Sequence, residues 1–142
     1  MSPPGISEAL RIKIRQVAEQ RCGYCLSRRG LVLGVLEIEH IVPLAKGGTD
    51  EEANLWLSCS LCNRYKATQI AANDPLAGAT VPLFNPRKDK WHDHFGWSSD
   101  GVLILSSTAK GRATIEALPM NNELAVEVRR NWVLAGWHPP TD

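Results

Sequence analysis

Four cysteines fall into two pairs, Cys22-x2-Cys25 and Cys59-x2-Cys62, with 33 residues between the pairs. Each pair can give two thiolates to one tetrahedral ion, and two such pairs point to a structural zinc site far more specifically than either would alone. A redox dithiol is the other chemistry open to a C-x-x-C motif, but a doubled motif in a reduced protein favours metal. Between the pairs, "LEIEHIVPLAKGG" brings an otherwise apolar run to Glu37, Glu39 and His40. A strand end that meets water would account for those residues by itself. Two asparagines change the picture, because Asn54 lies in the same connector and Asn63 directly follows the last cysteine. Closing the zinc site draws the end of the Glu39-His40 segment toward the helix that starts near Cys62, so that Glu39, His40, Asn54 and Asn63 become neighbours.

The elements that must do this positioning are short. Leu10, Ile14, Val17 and Ala18 recur at helical spacing behind Ser7, which predicts an amphipathic helix from about Ser7 to Gln20 that leads into "RCGYC". Val35 to Ile41 reads as a strand that Pro43 ends. Thr49 and Glu52 fit a capping box around one helical turn, "LWLS" reads as a second strand, and "CSLCNRYKATQIAA" as a helix closed by Asn73-Asp74-Pro75. Beyond about residue 76 the interruptions at Pro82 and Pro86 predict an extended surface segment. "SSDG" then signals a hairpin turn, and two helices are expected, from about Lys110 to Leu118 and from about Asn122 to Ala135. This second part lacks the residue combinations of the first, and its tryptophans read as core or interface anchors.

At 142 residues the chain can bury a core without disulfides. It has no apolar run of signal-peptide type and none that approaches a bilayer span, so a cytoplasmic protein without membrane contact is expected. The formal charge of +1 would become −1 with four thiolates around one divalent ion. Any hold on a polyanion must therefore come from local clusters such as Arg28 with Arg29, Arg64 with Lys66, or Arg87, Lys88 and Lys90. His92 and His94 stand two apart without further ligands, and Glu37 reads as an exposed glutamate or a supporting neighbour of Glu39.

The text "EHIVPLAKGG", "EEANLWLSC" and "CNRYK" resembles the HNH endonuclease family, whose signature is an acidic residue followed by His, a central Asn, and a His or Asn beside the final cysteine. The likeness covers roughly residues 19 to 70. It implies an α+β fold with a ββα-metal (His-Me finger) core, two antiparallel strands and a helix, stapled by a four-cysteine zinc site. An N-terminal helix would precede that core, giving a domain over residues 1–75, with a hairpin-plus-helices extension over 76–142 packed on it.

The activity implied is metal-dependent hydrolysis of DNA phosphodiesters to 5′-phosphate and 3′-hydroxyl ends. His40 would be the general base, since imidazole titrates near neutrality. Glu39 and Asn63 would give oxygens to a catalytic divalent ion, and Asn54 would hold the loop and orient the His40 ring. Oxygen donors of this kind suit Mg²⁺ or Mn²⁺. Arg64 and Lys66, on the helix that carries Asn63, would meet DNA phosphates. Strand alternation points Glu39 and His40 to opposite faces, so a bend or bulge is expected between them. Two departures from the family's commoner letters, Asn63 for His and Glu39 for Asp, both keep an oxygen ligand. The competing reading is a zinc-stapled nucleic-acid-binding module without cleavage; loss of His40 or of the metal ligands would signal it, and the chain keeps them.

Overall fold

A computed structural model describes residues 5–141. Among these residues the fold mixes helix and sheet, with three separate two-stranded antiparallel sheets. It divides into two compact units, one built from the chain up to Ile70 together with Asn85–Lys88, the other from Ala71–Phe84 and the chain from Asp89 onward. Among the described residues no helix is long and apolar enough to cross a membrane.

In the first unit, helix α1 (Glu8–Val17) starts where Ser7 Oγ accepts from Leu10 N at 3.1 Å, an N-cap that satisfies one of the helix's free amides. It stops three residues short of the expected Gln20, because Glu19 and Gln20 take φ values of 56° and 55°. Strand β1 (Glu37–His40) pairs with β2 (Leu55–Ser58) in unbroken antiparallel register from Glu37 opposite Ser58 to His40 opposite Leu55. That register corrects the expected bulge: the ladder is regular, so Glu37 and Glu39 share one face while Ile38 and His40 share the other. Ile14, Leu36, Ile41, Leu55 and Leu57 are buried and form this unit's apolar core.

The connector between the strands contains a short 3-10 turn over Glu52–Asn54, but Thr49 does not cap it. Its hydroxyl accepts from Glu51 N at 3.3 Å and so shapes the turn before the helix. Helix α2 (Ser60–Lys66) is capped by Cys59, whose sulfur accepts from Cys62 N. It is about half the expected length, since Ala67 takes φ 49° and ends it. Asn85–Lys88 returns to this unit: the Arg87 guanidinium donates to Leu55 O at 3.1 and 3.3 Å and lies 5.1 Å over the Trp56 ring.

The second unit opens with β3 (Ala71–Asn73), read from sequence as the end of a helix, which pairs with β4 (Thr80–Pro82). Asp74 shapes the loop between them, accepting from Leu76 N and Ala77 N and, through both oxygens, from Arg112 at 2.9 Å each. The expected surface segment instead supplies core: Leu83, Phe84, Trp91 and Phe95 are buried, the last two in and beside the short helix α3 (Trp91–His94). The hairpin expected at "SSDG" forms between β5 (Gly96–Trp97) and β6 (Ile104–Leu105), with Gly101 at φ 78° in its turn. Helices α4 (Ala109–Ala117) and α5 (Glu123–Leu134) begin at the N-caps Thr108 and Asn122.

Candidate functional site: a four-cysteine centre and the β1–α2 face

Cys22, Cys25, Cys59 and Cys62 are all buried, and their sulfurs lie within 4.8 Å of one another. Zinc–sulfur bonds of about 2.3 Å set tetrahedral sulfur separations near 3.8 Å. Cys25 and Cys59 are 3.7 Å apart, close to that value. Backbone amides of Tyr24 and Cys62 point at Cys22 and Cys59 sulfurs at 3.4 Å each, an arrangement that favours thiolates. Burial pushes the Cys22 thiol well up, and hydrogen bonding among the neighbouring sulfurs raises Cys62 and lowers Cys25. Four sulfurs so close cannot all ionise without a cation among them. The donor set therefore fits structural zinc.

The first knuckle is fixed to the sheet by Gly23, whose amide donates to Leu57 O at 2.8 Å. A side chain there would collide with Trp56 and Pro86, so glycine is required by the close approach. Tyr24, between the two cysteines, is fully buried and reaches β1. Its hydroxyl lies 2.9 and 2.8 Å from the two carboxylate oxygens of Glu39.

Glu39 itself is 2% exposed, and the Lys66 ammonium stands 2.9 Å from its Oε1. Burial raises the Glu39 pKa, while Lys66 and Tyr24 pull it back. Lys66 also donates to His40 O at 3.2 Å and Ile41 O at 2.9 Å, which ties α2 to the end of β1. This corrects the expectation that Lys66 meets DNA. Its ammonium points inward because the buried carboxylate and two strand carbonyls need a donor there, and it has no surface left to offer a phosphate. Arg64, by contrast, is exposed on the same helix.

One turn earlier on α2, Asn63 Nδ2 donates to Glu37 Oε1 at 2.7 Å, at the exposed edge of the same face. The two carboxylates of β1 thus meet α2 one residue each, Glu37 with Asn63 and Glu39 with Lys66. For a divalent ion the oxygens of Glu37 and Asn63 are open and of the right, hard kind. Glu39 can join them only by giving up Lys66.

His40 closes β1 on the opposite pleat, where its Nε2 lies 2.7 Å from Asp50 Oδ1. The Asn54 side chain hydrogen-bonds to neither the His40 ring nor the Glu39 carboxylate but clamps the connector: its Oδ1 accepts from Val42 N, and its Nδ2 donates to Val42 O and Thr49 O, all at 2.9 Å. Glu39, His40 and Asn63 are therefore each engaged by a different partner. Sequence reasoning missed Tyr24 and Asp50. A tyrosine inside a buried knuckle was a usable signal, whereas Asp50 is one of three consecutive acids, Asp50, Glu51 and Glu52, that no pattern separates.

Residues 22–69 match the family described as HNH endonuclease, a segment that runs from the first cysteine through β1, β2 and α2. No curated protein matches the chain, and no solved structure does.

Proposed function

From this HNH endonuclease segment at residues 22–69, we propose that the protein is a metal-dependent DNA endonuclease that hydrolyses phosphodiesters to 5′-phosphate and 3′-hydroxyl ends. The observation that carries the reading is His40, a partly exposed imidazole at the end of β1 with an acidic partner, inside the matched segment. His40 takes a proton from water as the water oxygen bonds to phosphorus and the bond from phosphorus to the 3′ oxygen breaks, and that oxygen takes a proton from solvent to become the 3′-hydroxyl. Asn54 keeps the loop in the shape that brings Asp50 to the ring. Asn63 on α2 and Glu37 on β1 offer the oxygen donors for a divalent ion, joined by Glu39 when its carboxylate exchanges Lys66 for the metal, and the hardness of the set suits Mg²⁺ or Mn²⁺. When bound, such an ion neutralises the scissile phosphate and the charge gathering on the leaving oxygen. Arg64 meets the DNA backbone, and zinc at the four cysteines holds the knuckles against β2.

A binding module without cleavage is the second reading, favoured by the closure of Glu39 behind Lys66 and Tyr24. The two part on the products. Supercoiled plasmid incubated with the protein and Mg²⁺ or Mn²⁺ should become nicked circles that DNA ligase reseals, as 5′-phosphate and 3′-hydroxyl ends require. Retarded but uncut plasmid would favour the binding module, and nicks that ligase cannot reseal would contradict the proposed end chemistry.

A further inference from the structure

We infer that Asp50 is the positioning residue for His40: its carboxylate accepts a hydrogen bond from Nε2–H, fixes the ring in one tautomer and leaves Nδ1 as the nitrogen that accepts the proton of the attacking water. The inference rests on the nuclease reading and deepens it. An ionised carboxylate can only accept, so the 2.7 Å contact places the imidazole hydrogen on Nε2. The two ring nitrogens are then unequal, one held and one free, which is the condition for a base that acts from a fixed direction.

What makes Asp50 a device, and not a passing surface contact, is the rigidity of the loop that carries it. Three hydrogen bonds from the Asn54 side chain close the connector onto Val42 and Thr49, the residue directly before Asp50. Ile41 N donates to Asn54 O at 2.9 Å, and Gly48 N to Pro43 O at 3.0 Å. Gly48 packs so close to Val42 O that a Cβ would collide with that carbonyl. The neighbouring acids are otherwise placed, Glu52 against Lys13 at 2.9 Å and Glu51 exposed at the start of the 3-10 turn. The far end of the ring's own residue is pinned as well, since Lys66 holds His40 O. Backbone and ring are thus fixed independently, the first by Lys66 and the second by Asp50.

The test joins a spectroscopic readout to a kinetic one on the zinc-loaded full chain. Long-range ¹⁵N–¹H correlation spectra at alkaline pH, with His40 assigned from the His40→Gln variant, should show wild-type His40 as the single Nε2–H tautomer. In Asp50→Ala that signature should give way to a tautomer mixture. Nicking at saturating DNA should then slow roughly 10- to 100-fold, a part of the 10²–10⁴ that a general base supplies, with KM for DNA and the melting curve unchanged. Asp50→Glu, which keeps a carboxylate, should restore part of both signals. An Nδ1–H tautomer in the wild type, or wild-type kcat in Asp50→Ala, overturns the proposal. A wild type that shows the Nε2–H tautomer but does not nick instead defeats the nuclease reading and leaves the Asp50–His40 pair standing.

Discussion

Replacing Lys66 with methionine separates an inward-facing lysine from a DNA-facing one. Both members of the Glu39–Lys66 pair are 2% exposed and their charges sit 2.9 Å apart. At an effective dielectric of about 20, that separation corresponds to roughly 6 kcal/mol of attraction, set against a desolvation cost of several kcal/mol for each ion. The intact pair is therefore close to neutral overall. Half of it is not, because Lys66→Met strands a buried carboxylate and removes the donor from His40 O and Ile41 O. Breaking one side of such a pair costs about 3–5 kcal/mol. For a cooperative unit of 60–100 residues, this is a drop of roughly 12–40 °C in Tm. Adding Glu39→Gln to Lys66→Met removes the stranded charge and should recover most of the loss, with Tyr24 still able to bond the amide. Circular-dichroism melts of the wild type, both single variants and the double variant measure the coupling. A Lys66→Met variant that melts like the wild type while its DNA affinity and salt dependence fall would behave as a surface phosphate contact and refute the inward placement.

Cys59→Ser should lose bound zinc, one ion per chain by metal analysis, and with it the fold of the first unit, since structural zinc contributes on the order of 10 kcal/mol; a native melt at wild-type zinc content would contradict the four-sulfur site. Arg64→Ala should weaken DNA binding alike for all sequences and lower the salt slope by about one, whereas an unchanged slope returns Arg64 to a merely solvated role. In the second unit, Arg112 first, then the amides of Leu76 and Ala77, hold the Asp74 carboxyl well below its ordinary range. A depressed carboxyl stabilises the fold above its unfolded pKa and stops doing so as pH falls through the folded one. Asp74→Asn should thus lower stability at neutral pH and flatten the acid limb of the stability curve. Trp91, Trp97, Trp132 and Trp137 all lie in that unit and report it by fluorescence; a variant whose acid limb matches the wild type would refute the assignment.

What the sequence made legible was chemistry with a short range. The cysteine spacing, the N-cap at Ser7, the "LWLS" strand and the turn at "SSDG" are local patterns, and each appears where its pattern lies. Local propensity overextends helix α2, since Ala71 and Ala72 suit a helix, yet they pair with Pro82 and Val81, and that non-local partner outweighs propensity. Lys66 looked like a surface cation because nothing in its own neighbourhood announces Glu39, 27 residues earlier, as the group it must neutralise. Which of three consecutive acids meets His40 is decided by the path of the Gly47–Asn54 loop, and that path depends on Asn54 closing it. The regular β1–β2 register was the least legible feature, since a functional argument favoured a bulge and the backbone pairs without one.

The proposed activity requires DNA cleavage with His40 as the base. Nicking of supercoiled plasmid by zinc-loaded wild type and by His40→Ala, each with Mg²⁺ or Mn²⁺ and with a chelator of those ions, addresses it most directly. Wild type should nick in a metal-dependent way and His40→Ala should lose about 10²- to 10⁴-fold or more in rate, with DNA binding and the melting curve retained. Equal nicking by the two proteins, or wild-type binding without any nicking in either ion, would contradict the proposed activity.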